Sequence, residues 1–443
     1  MECEVVLKGG RVFTGKKFEA VNVGVSKGRI TAVGKGVRGK KSIDCRGRWV
    51  LPAALDVHVH ARDFKEAAKE TWRSASSAAA HGGVGCFFDM PNNQGFAMNS
   101  LARLRQKESR ALRDSLVDFG LYAALDEASV ENARALAKDC VGFKLYMAES
   151  TNARGAKGQE FLERAFQAVA KTGKILVVHA EDPETIERFA RHAGKRTDPY
   201  AHYDARPNLS EAVAVHKALS LAERFGTRLH VTHVSTHEAL PLIALAKKKK
   251  VDVSADCSFT HLTFSLSDHE RHAHCIKVNP PVRTEADREA LWIALRKGVI
   301  DFIASDHAPH PKKEKLGPKG KNVPSGLPWL DFFLPRLLAL AKKRKVPVEE
   351  ALAWVTEKPA KRFKVKDKGR IARGFDADLV VFDPRAGSRV TAKAMHSKSK
   401  WHPLEGEKLP GKVETTLIRG CVVFDKGKPL RRGFKARRVA LDG

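Results

Sequence analysis

Apolar and polar positions along this chain follow two different patterns. From residue 49 to residue 307, short apolar and β-branched runs are separated by stretches whose apolar residues recur every three to four positions, the spacing of helices. One such stretch, residues 209–225, is followed by Gly226, a common residue at a helix C-terminus. The runs predict eight strands, at residues 49–58, 85–90, 117–124, 140–147, 175–181, 229–235, 251–256 and 302–307.

Eight strands that alternate with helices predict an α/β fold with a parallel sheet, and over roughly 300 residues a (β/α)8 barrel of the TIM type. Residues 1–50 instead contain short strand-like runs between glycine turns, and the same pattern occurs again after residue 368. Neither end alone supplies enough strands for a stable sheet. We therefore expect residues 1–50 and 368–443 to form one composite β-sandwich domain, beside a barrel of residues 51–367.

The predicted barrel strands carry metal-binding side chains near their ends. His58 and His60 are two residues apart, so on a strand they project from the same face, about 6–7 Å apart. Later strands carry one such side chain each, namely Lys144, His179, His233 and Asp306. Because the active sites of these barrels lie where the strands end, we expect the six side chains to meet there.

Four histidines and one carboxylate, without a thiolate, suit zinc or a similar cation. Six ligands exceed what one tetrahedral ion needs, whereas two ions about 3.5–4 Å apart would use them all. Lysine does not normally bind such metals, but desolvation lowers the pKa of a lysine. The neutral amine of Lys144 could then react with carbon dioxide and become a carbamate. This interpretation predicts two divalent ions, most simply zinc, bridged by a carboxylated Lys144.

Length and composition exclude several other classes of protein. The 443 residues contain no apolar stretch of membrane-spanning length and no signal-peptide pattern at the start. Seven scattered cysteines without a Cys-x-x-Cys pair indicate reduced thiols and a cytoplasmic protein. The net charge of +29 is spread along the chain without a nucleic-acid-binding motif. We interpret it as a solvated basic surface and expect neither a nucleic acid nor a membrane as partner.

Further motifs surround the candidate ligands. They lie at residues 56–62, 89–92, 142–146, 179–182, 233–236, 277–283 and 305–310, with two more at 403–406 and 409–413. Together they resemble the amidohydrolase superfamily and, among its cyclic amidohydrolases, the dihydroorotases. The resemblance covers nearly the whole chain.

The resemblance implies how the ligands divide. One ion would be held by His58, His60 and Asp306, and a second by His179 and His233, with Lys144 between them. It also implies hydrolysis of a cyclic amide by a metal-activated hydroxide, with Asp306 as the general acid and base. The reaction would be the reversible hydrolysis of (S)-dihydroorotate to N-carbamoyl-L-aspartate in pyrimidine biosynthesis.

The resemblance assigns the substrate contacts to Arg62, Asn92, Asn279 and His310. Arg62 shares the face of the two histidines, and its guanidinium suits a bidentate grip on a carboxylate; a rim salt bridge with Asp63 or Glu66 is its structural alternative. The family usually follows this arginine with an acidic residue, Pro and Gly, whereas here the run is Arg-Asp-Phe-Lys. This departure changes the loop that positions Arg62.

Three alternatives to a dihydroorotase differ in what they require. A hydantoinase or allantoinase would use the same metals on a different ring, although Arg62 and the Met-Pro-Asn run at 90–92 count against it. A catalytically silent scaffold typically loses metal ligands, and none is missing here. Nucleic-acid binding has only the charge in its favour. A homo-oligomer, or an association with aspartate carbamoyltransferase, is compatible with every enzymatic alternative.

We expect the basic surface to be incidental to activity. Nucleic acid should bind weakly and should dissociate steeply as salt rises, because such binding depends on the release of counterions. Fluorescence anisotropy with labelled DNA and RNA, from low to physiological salt, measures this. Submicromolar affinity at physiological salt, or a preference for one base sequence, would contradict the interpretation.

Overall fold

The computed structural model describes residues 2–156, 158–317, 320–431 and 433–442. Residues 318 and 319, which follow the eighth predicted strand, lie outside these ranges. The first strands are β1 (Cys3–Lys8), β2 (Arg11–Phe13), β3 (Phe18–Ala20), β4 (Asn22–Ser26), β5 (Arg29–Gly34), β6 (Gly39–Asp44) and β7 (Trp49–Pro52).

Eight parallel strands then form the central sheet, in the order in which they occur along the chain. The strands of residues 54–304 are β8 (Ala54–Val59), β9 (Val84–Asp89), the short hairpin β10 (Asn92–Asn93) and β11 (Phe96–Ala97), β12 (Asp118–Ala124), β13 (Gly142–Tyr146), β14 (Ile175–His179), β15 (Leu229–Val231), β16 (Val253–Ser258) and β17 (Phe302–Ala304). A parallel bridge between Val59 and His307 joins the last strand to the first. The predicted (β/α)8 barrel is confirmed.

The C-terminal strands return to the N-terminal ones. They are β18 (Leu379–Arg389), β19 (Lys408–Ile418), β20 (Cys421–Asp425) and β21 (Lys428–Pro429). β18–β21 join β7, β2 and β3 in a seven-stranded sheet, while β5, β4, β1 and β6 form a four-stranded one. Leu7, Val25, Val381 and Leu417 belong to one buried cluster drawn from both sheets. The composite β-sandwich is thereby confirmed, whereas its boundaries at 50/51 and 367/368 stay a prediction.

One predicted strand is wrong in its extent. The run 49–58 is two strands, since β7 pairs with β18 in the small domain and β8 starts the barrel at Ala54. Both strands are buried, so no polar residue marks the break between them. Residues of a strand that is covered on both faces form a continuous apolar run, which hides such a boundary.

Helices cover the outside of the barrel and connect its strands. They are α1 (Trp72–Gly82), α2 (Leu101–Asp114), α3 (Ala133–Leu136), α4 (Gly158–Ala170), α5 (Pro183–Ala193), α6 (Ala201–Ala205), α7 (Asn208–Phe225), α8 (Ala239–Lys248), α9 (Phe259–Thr263), α10 (His269–His272), α11 (Glu285–Lys297), α12 (Lys312–Leu316), α13 (Phe333–Lys343), α14 (Val348–Ala353) and α15 (Glu357–Arg362). As predicted, Gly226 ends α7 in a left-handed conformation. Among the described helices, none has both the length and the hydropathy to cross a membrane.

A buried charge cluster joins the barrel to the small domain. The ammonium of Lys368 lies 2.9 Å from a carboxylate oxygen of Asp118, which begins β12. It also lies 3.1 Å from Asp376 and 2.5 Å from Asp378, directly before β18. All four side chains are largely removed from water. The guanidinium of Arg437 also pairs with Asp118 and Asp376, whereas the ammonium of Lys368 contacts all three carboxylates.

Replacing Lys368 by methionine should lower the free energy of unfolding by about 3–5 kcal/mol, because it leaves the buried carboxylate of Asp378 without the ammonium that bonds it. Denaturant unfolding monitored by circular dichroism measures the change. Lys366→Met is the control, since Lys366 is exposed and a surface substitution changes stability by about 0.5 kcal/mol or less. Equal stabilities of the two variants would contradict the role given to the cluster.

Candidate metal centre and active site

The ends of the barrel strands bring the predicted ligands together. His58 on β8, His60 directly after it, His179 at the end of β14, and His233 and Asp306 just beyond β15 and β17 line one cavity. Lys144 on β13 lies beside it, with its Nζ 5.0 Å from the centre of the Tyr146 ring, which also lines the cavity. The six side chains expected to meet at this edge of the barrel do so.

His58 and His60 direct one ring nitrogen each toward Asp306. Their Nε2 atoms lie 3.3 and 3.4 Å from Oδ1 of Asp306. The Nδ1 of His60 lies 2.9 Å from the carboxamide oxygen of Asn92, which only accepts, so Nδ1 carries the proton. The Nδ1 of His58 lies 2.6 Å from the Thr232 hydroxyl. Burial lowers the pKa of both histidines well below the ordinary value, so their Nε2 lone pairs can bind a cation.

A second pair of nitrogens faces inward from β14 and the loop after β15. Burial opposes ionisation of Glu181, but Arg206 and His179 outweigh it and lower its pKa to about 2. The Nε2 of His179 therefore donates to Glu181, 2.8 Å away, which leaves the lone pair on Nδ1. That atom lies 3.1 Å from Nε2 of His233. A cation between the two rings would bind both.

Lys144 places a buried amine beside the candidate ligands. Its side chain is fully buried, and among the described residues its Nζ has no hydrogen-bond partner. Desolvation lowers its pKa from 10.5 to about 7. A buried amine without a partner, next to four neutral imidazoles and a carboxylate, fits a site that is completed by modification of the lysine and by divalent metal.

Asp306 also has an unusual proton affinity. Desolvation raises its pKa to about 7, although Lys144 acts in the opposite direction. A carboxyl group that titrates near neutrality can both take and return a proton under physiological conditions. A bound cation would favour its ionised form.

The predicted substrate contacts differ in their access to the cavity. Arg62, Asn92 and Asn279 line it, whereas His310 lies behind Arg62, with its Nε2 3.5 Å from the guanidinium and 3.1 Å from the Ser325 carbonyl. Burial lowers the pKa of His310 to about 3, so it is neutral. Each contact role in the substrate complex stays a prediction.

The protein partners of Asn92 and Arg62 bear on the roles of these two side chains. The oxygen of Asn92 accepts from His60, and its nitrogen donates to the Thr151 carbonyl 2.7 Å away. The nitrogen of Arg62 nearest to Glu66 lies 3.6 Å from its carboxylate, in a loop that is shielded from water rather than on an open rim. Asn92 thus orients a metal ligand as well as facing the cavity.

Sequence reasoning missed some residues that support the site. Tyr146 follows Lys144 by two residues on one strand, so strand alternation could have placed it in the cavity. Thr232 donates to Asp256, 3.2 Å away, in the seventh strand of the barrel. The signal for Asp256 was a carboxylate in an otherwise buried strand. His307, directly after Asp306, accepts two backbone N–H groups through its Nδ1.

A family model described as the amidohydrolase family matches residues 49–423. The chain belongs to the amidohydrolase family. Members of this family use divalent metal ions in hydrolysis, in keeping with the group formed by His58, His60 and Asp306, whose ligand atoms lie within 4.8 Å of one another.

Relatives in this family have different substrates. A dihydroorotase of Methanosarcina mazei is 34% identical, over 95% of this chain and 94% of its own length. An allantoinase of Bacillus velezensis is 32% identical, over 98% of this chain and 97% of its own length. The solved structure of L-hydantoinase from Arthrobacter aurescens superimposes with a TM-score of 0.93 at 29% identity, with 99% of each chain covered. This chain is therefore a cyclic amidohydrolase, and identity alone does not separate the three substrates.

Burial of the Lys144 amine should lower the stability of the metal-free protein. In chelator-treated protein at neutral pH, Lys144→Met should unfold at higher denaturant concentration than the parent. The pKa of Lys144 is depressed in the folded protein, from 10.5 to about 7. Stability is therefore complete above pH 10.5 and is lost as the pH falls toward 7, because the unfolded chain takes up a proton that the folded chain refuses.

Denaturant unfolding at pH 7 and pH 10 tests this expectation. The advantage of Lys144→Met should be largest at pH 7 and should shrink toward pH 10. Lys248→Met, at an exposed position of α8, is the control and should show no such dependence. If the metal-free parent is more stable than Lys144→Met at pH 7, the buried amine does not destabilise the fold as we infer.

Proposed function

We propose that this protein is a dihydroorotase, which interconverts (S)-dihydroorotate and N-carbamoyl-L-aspartate in the cytoplasmic synthesis of pyrimidines. The observation that carries the proposal is the buried guanidinium of Arg62 on the wall of the cavity that holds the candidate metal ligands. Dihydroorotate bears a carboxylate, whereas the rings of hydantoin and allantoin are uncharged. Among the described residues the Nε of Arg62 has no hydrogen-bond partner, so it can donate to such an anion.

The donor set suits two divalent ions, most simply zinc. His58, His60 and Asp306 would hold one, and His179 and His233 the other. Lys144 would link them as a carbamate, formed when the lone pair of its neutral amine attacks the carbon of carbon dioxide and the nitrogen loses a proton. When bound, such ions polarise the amide carbonyl and lower the pKa of a water molecule.

The reaction requires one group that moves a proton in two directions. Water adds to the ring amide carbonyl, the bond from that carbon to the ring nitrogen breaks, and the nitrogen leaves with a proton. Asp306, beside His58 and His60, would take the proton from water and return it to the nitrogen. In the direction of ring closure the same carboxyl group would act in reverse order.

The chain's other residues would bind and orient the substrate. Arg62 would grip the carboxylate, with His310 behind its guanidinium, 3.5 Å away. Asn279 accepts from Ser325 at 3.0 Å, which holds its amide at the cavity wall for the ring. Asn92 would keep His60 in the tautomer that binds metal while facing the carboxylate.

A specific observation favours a second candidate, an allantoinase or hydantoinase. The carboxylate of Glu66, 3.6 Å from Arg62, offsets part of the positive charge that would attract an anionic ring. Relatives of that kind are also as similar as the dihydroorotases. Initial rates of metal-loaded protein on dihydroorotate, allantoin and hydantoin separate the candidates, because the proposal requires dihydroorotate to be preferred.

The sharpest variant is Arg62→Met, which keeps an unbranched side chain and removes the guanidinium with its charge. The loss of a buried charge-assisted contact should lower kcat/KM for dihydroorotate by at least about tenfold. A neutral cyclic amide should change little, and elemental analysis should find the same metal content as in the parent. Arg188→Met, at an exposed position of α5, is the matched control. Unchanged kcat/KM for dihydroorotate in Arg62→Met would favour the second candidate.

A further inference from the structure

The loop that carries Arg62 adopts an unfavourable backbone conformation. Arg62, Asp63 and Phe64 have φ angles of 55°, 79° and 49°, so three consecutive residues with side chains lie in the left-handed region. Residues other than glycine rarely adopt this conformation, because Cβ approaches the backbone oxygen. Contacts from elsewhere in the fold must therefore hold the loop.

The main contact comes from a buried lysine on the helix after the second barrel strand. Lys107 in α2 is fully buried, and its ammonium donates to the backbone carbonyl of Arg62 at 2.5 Å. It donates to Asn93 at 3.0 Å and lies 3.1 Å from the carboxylate of Asp89. Asp89 in turn accepts from the backbone N–H of Ala61 at 2.7 Å. One ammonium thus fixes the residue that bears the guanidinium and, through Asp89, the residue before it.

The same helix holds the rest of the loop. Arg110, one turn beyond Lys107, donates to the carboxylate of Asp63 at 3.1 Å and lies 4.3 Å from the ring centre of Phe64. Phe64 stacks on Phe96 of β11, with 3.9 Å between ring centres. Phe64 stands where the family usually has Pro, so contacts from α2 and β11 accompany this departure from the family pattern.

We infer that Lys107 is a positioning residue for substrate selection, which acts by holding the Arg62 carbonyl so that the guanidinium faces the cavity. The inference rests on the proposed function, in which Arg62 binds the substrate carboxylate. Lys107 contacts none of the candidate metal ligands in the contacts described here, and it does not line the cavity. Its loss should therefore weaken the binding of an anionic ring and leave the chemistry on a neutral ring intact.

The test is Lys107→Met, assayed with dihydroorotate and with hydantoin after metal loading. We expect KM for dihydroorotate to rise by about tenfold, with kcat nearly unchanged. The reason is that the weakened contact to the carboxylate is equally strong in the bound substrate and in the transition state. The kcat/KM for hydantoin should change by no more than about threefold. Metal content should equal that of the parent.

A control separates positioning from general loss of stability. Arg336→Met removes a largely buried cation that bonds Glu407 at 2.7 Å and Thr263 at 3.0 Å and has no contact with the Arg62 loop. It should destabilise the protein without changing the ratio of KM values for the two substrates. A change of that ratio in Arg336→Met as large as in Lys107→Met would overturn the inference.

A second variant keeps the inference testable where Lys107→Met does not fold. Asn93 donates to the Arg62 carbonyl and accepts from Lys107, so Asn93→Ala weakens the same clamp more mildly. It should raise KM for dihydroorotate in the same direction, and an unchanged KM would overturn the inference. If Arg62→Met loses selectivity while Lys107→Met and Asn93→Ala keep it, the inference fails and the proposed function stands. If the parent prefers a neutral ring, both fail.

Discussion

The site depends on the burial of basic groups, because burial removes the solvation that would keep them charged. Lys144 and the four histidines lie where the barrel strands end, and desolvation disfavours the charged form of each. An uncharged imidazole or amine has a lone pair to give, so the same burial that weakens the fold creates ligands. Parallel strands deliver these groups to one edge of the barrel, because successive strands end on the same side.

Support for this arrangement comes from groups that never reach the cavity. Thr232, Asn92 and Glu181 each bond the ring nitrogen that faces away from the centre and so decide which nitrogen keeps its lone pair. At the opposite end of the barrel, Lys368 and its carboxylates tie the small domain to the barrel. The metal ligands are thus held by a rigid frame, and the loops above them are left to select the substrate.

The fold and the convergence of the candidate ligands could be predicted because their sequence signals are periodic. His58 and His60 share a strand face, and each later ligand ends an apolar run. The break between β7 and β8 could not be seen, since both strands are buried and read as one run. The position of His310 behind Arg62 depends on the path of a loop, and loops have no repeating pattern of apolar residues from which to predict it. Lys107 lies on a strongly polar helix, where a lysine is normally exposed, so only packing shows that it is buried.

In the proposed function, substrate selection and catalysis rest on different residues, which would explain why relatives with different substrates have similar identities to this chain. The strand ends and the ligands serve any cyclic amide, whereas Arg62, Glu66 and the loop held by Lys107 bear on the charge of the ring. A few positions outside the barrel strands therefore carry the distinction that overall identity misses.

The central claim is that the unpartnered amine of Lys144 becomes the anionic bridge of a two-metal site. The most direct test is native mass spectrometry combined with elemental analysis of active protein prepared in bicarbonate. The account predicts two divalent ions per chain and the added mass of one carbon dioxide, lost in Lys144→Met. Full activity with an unmodified lysine, or with a single ion per chain, would contradict it.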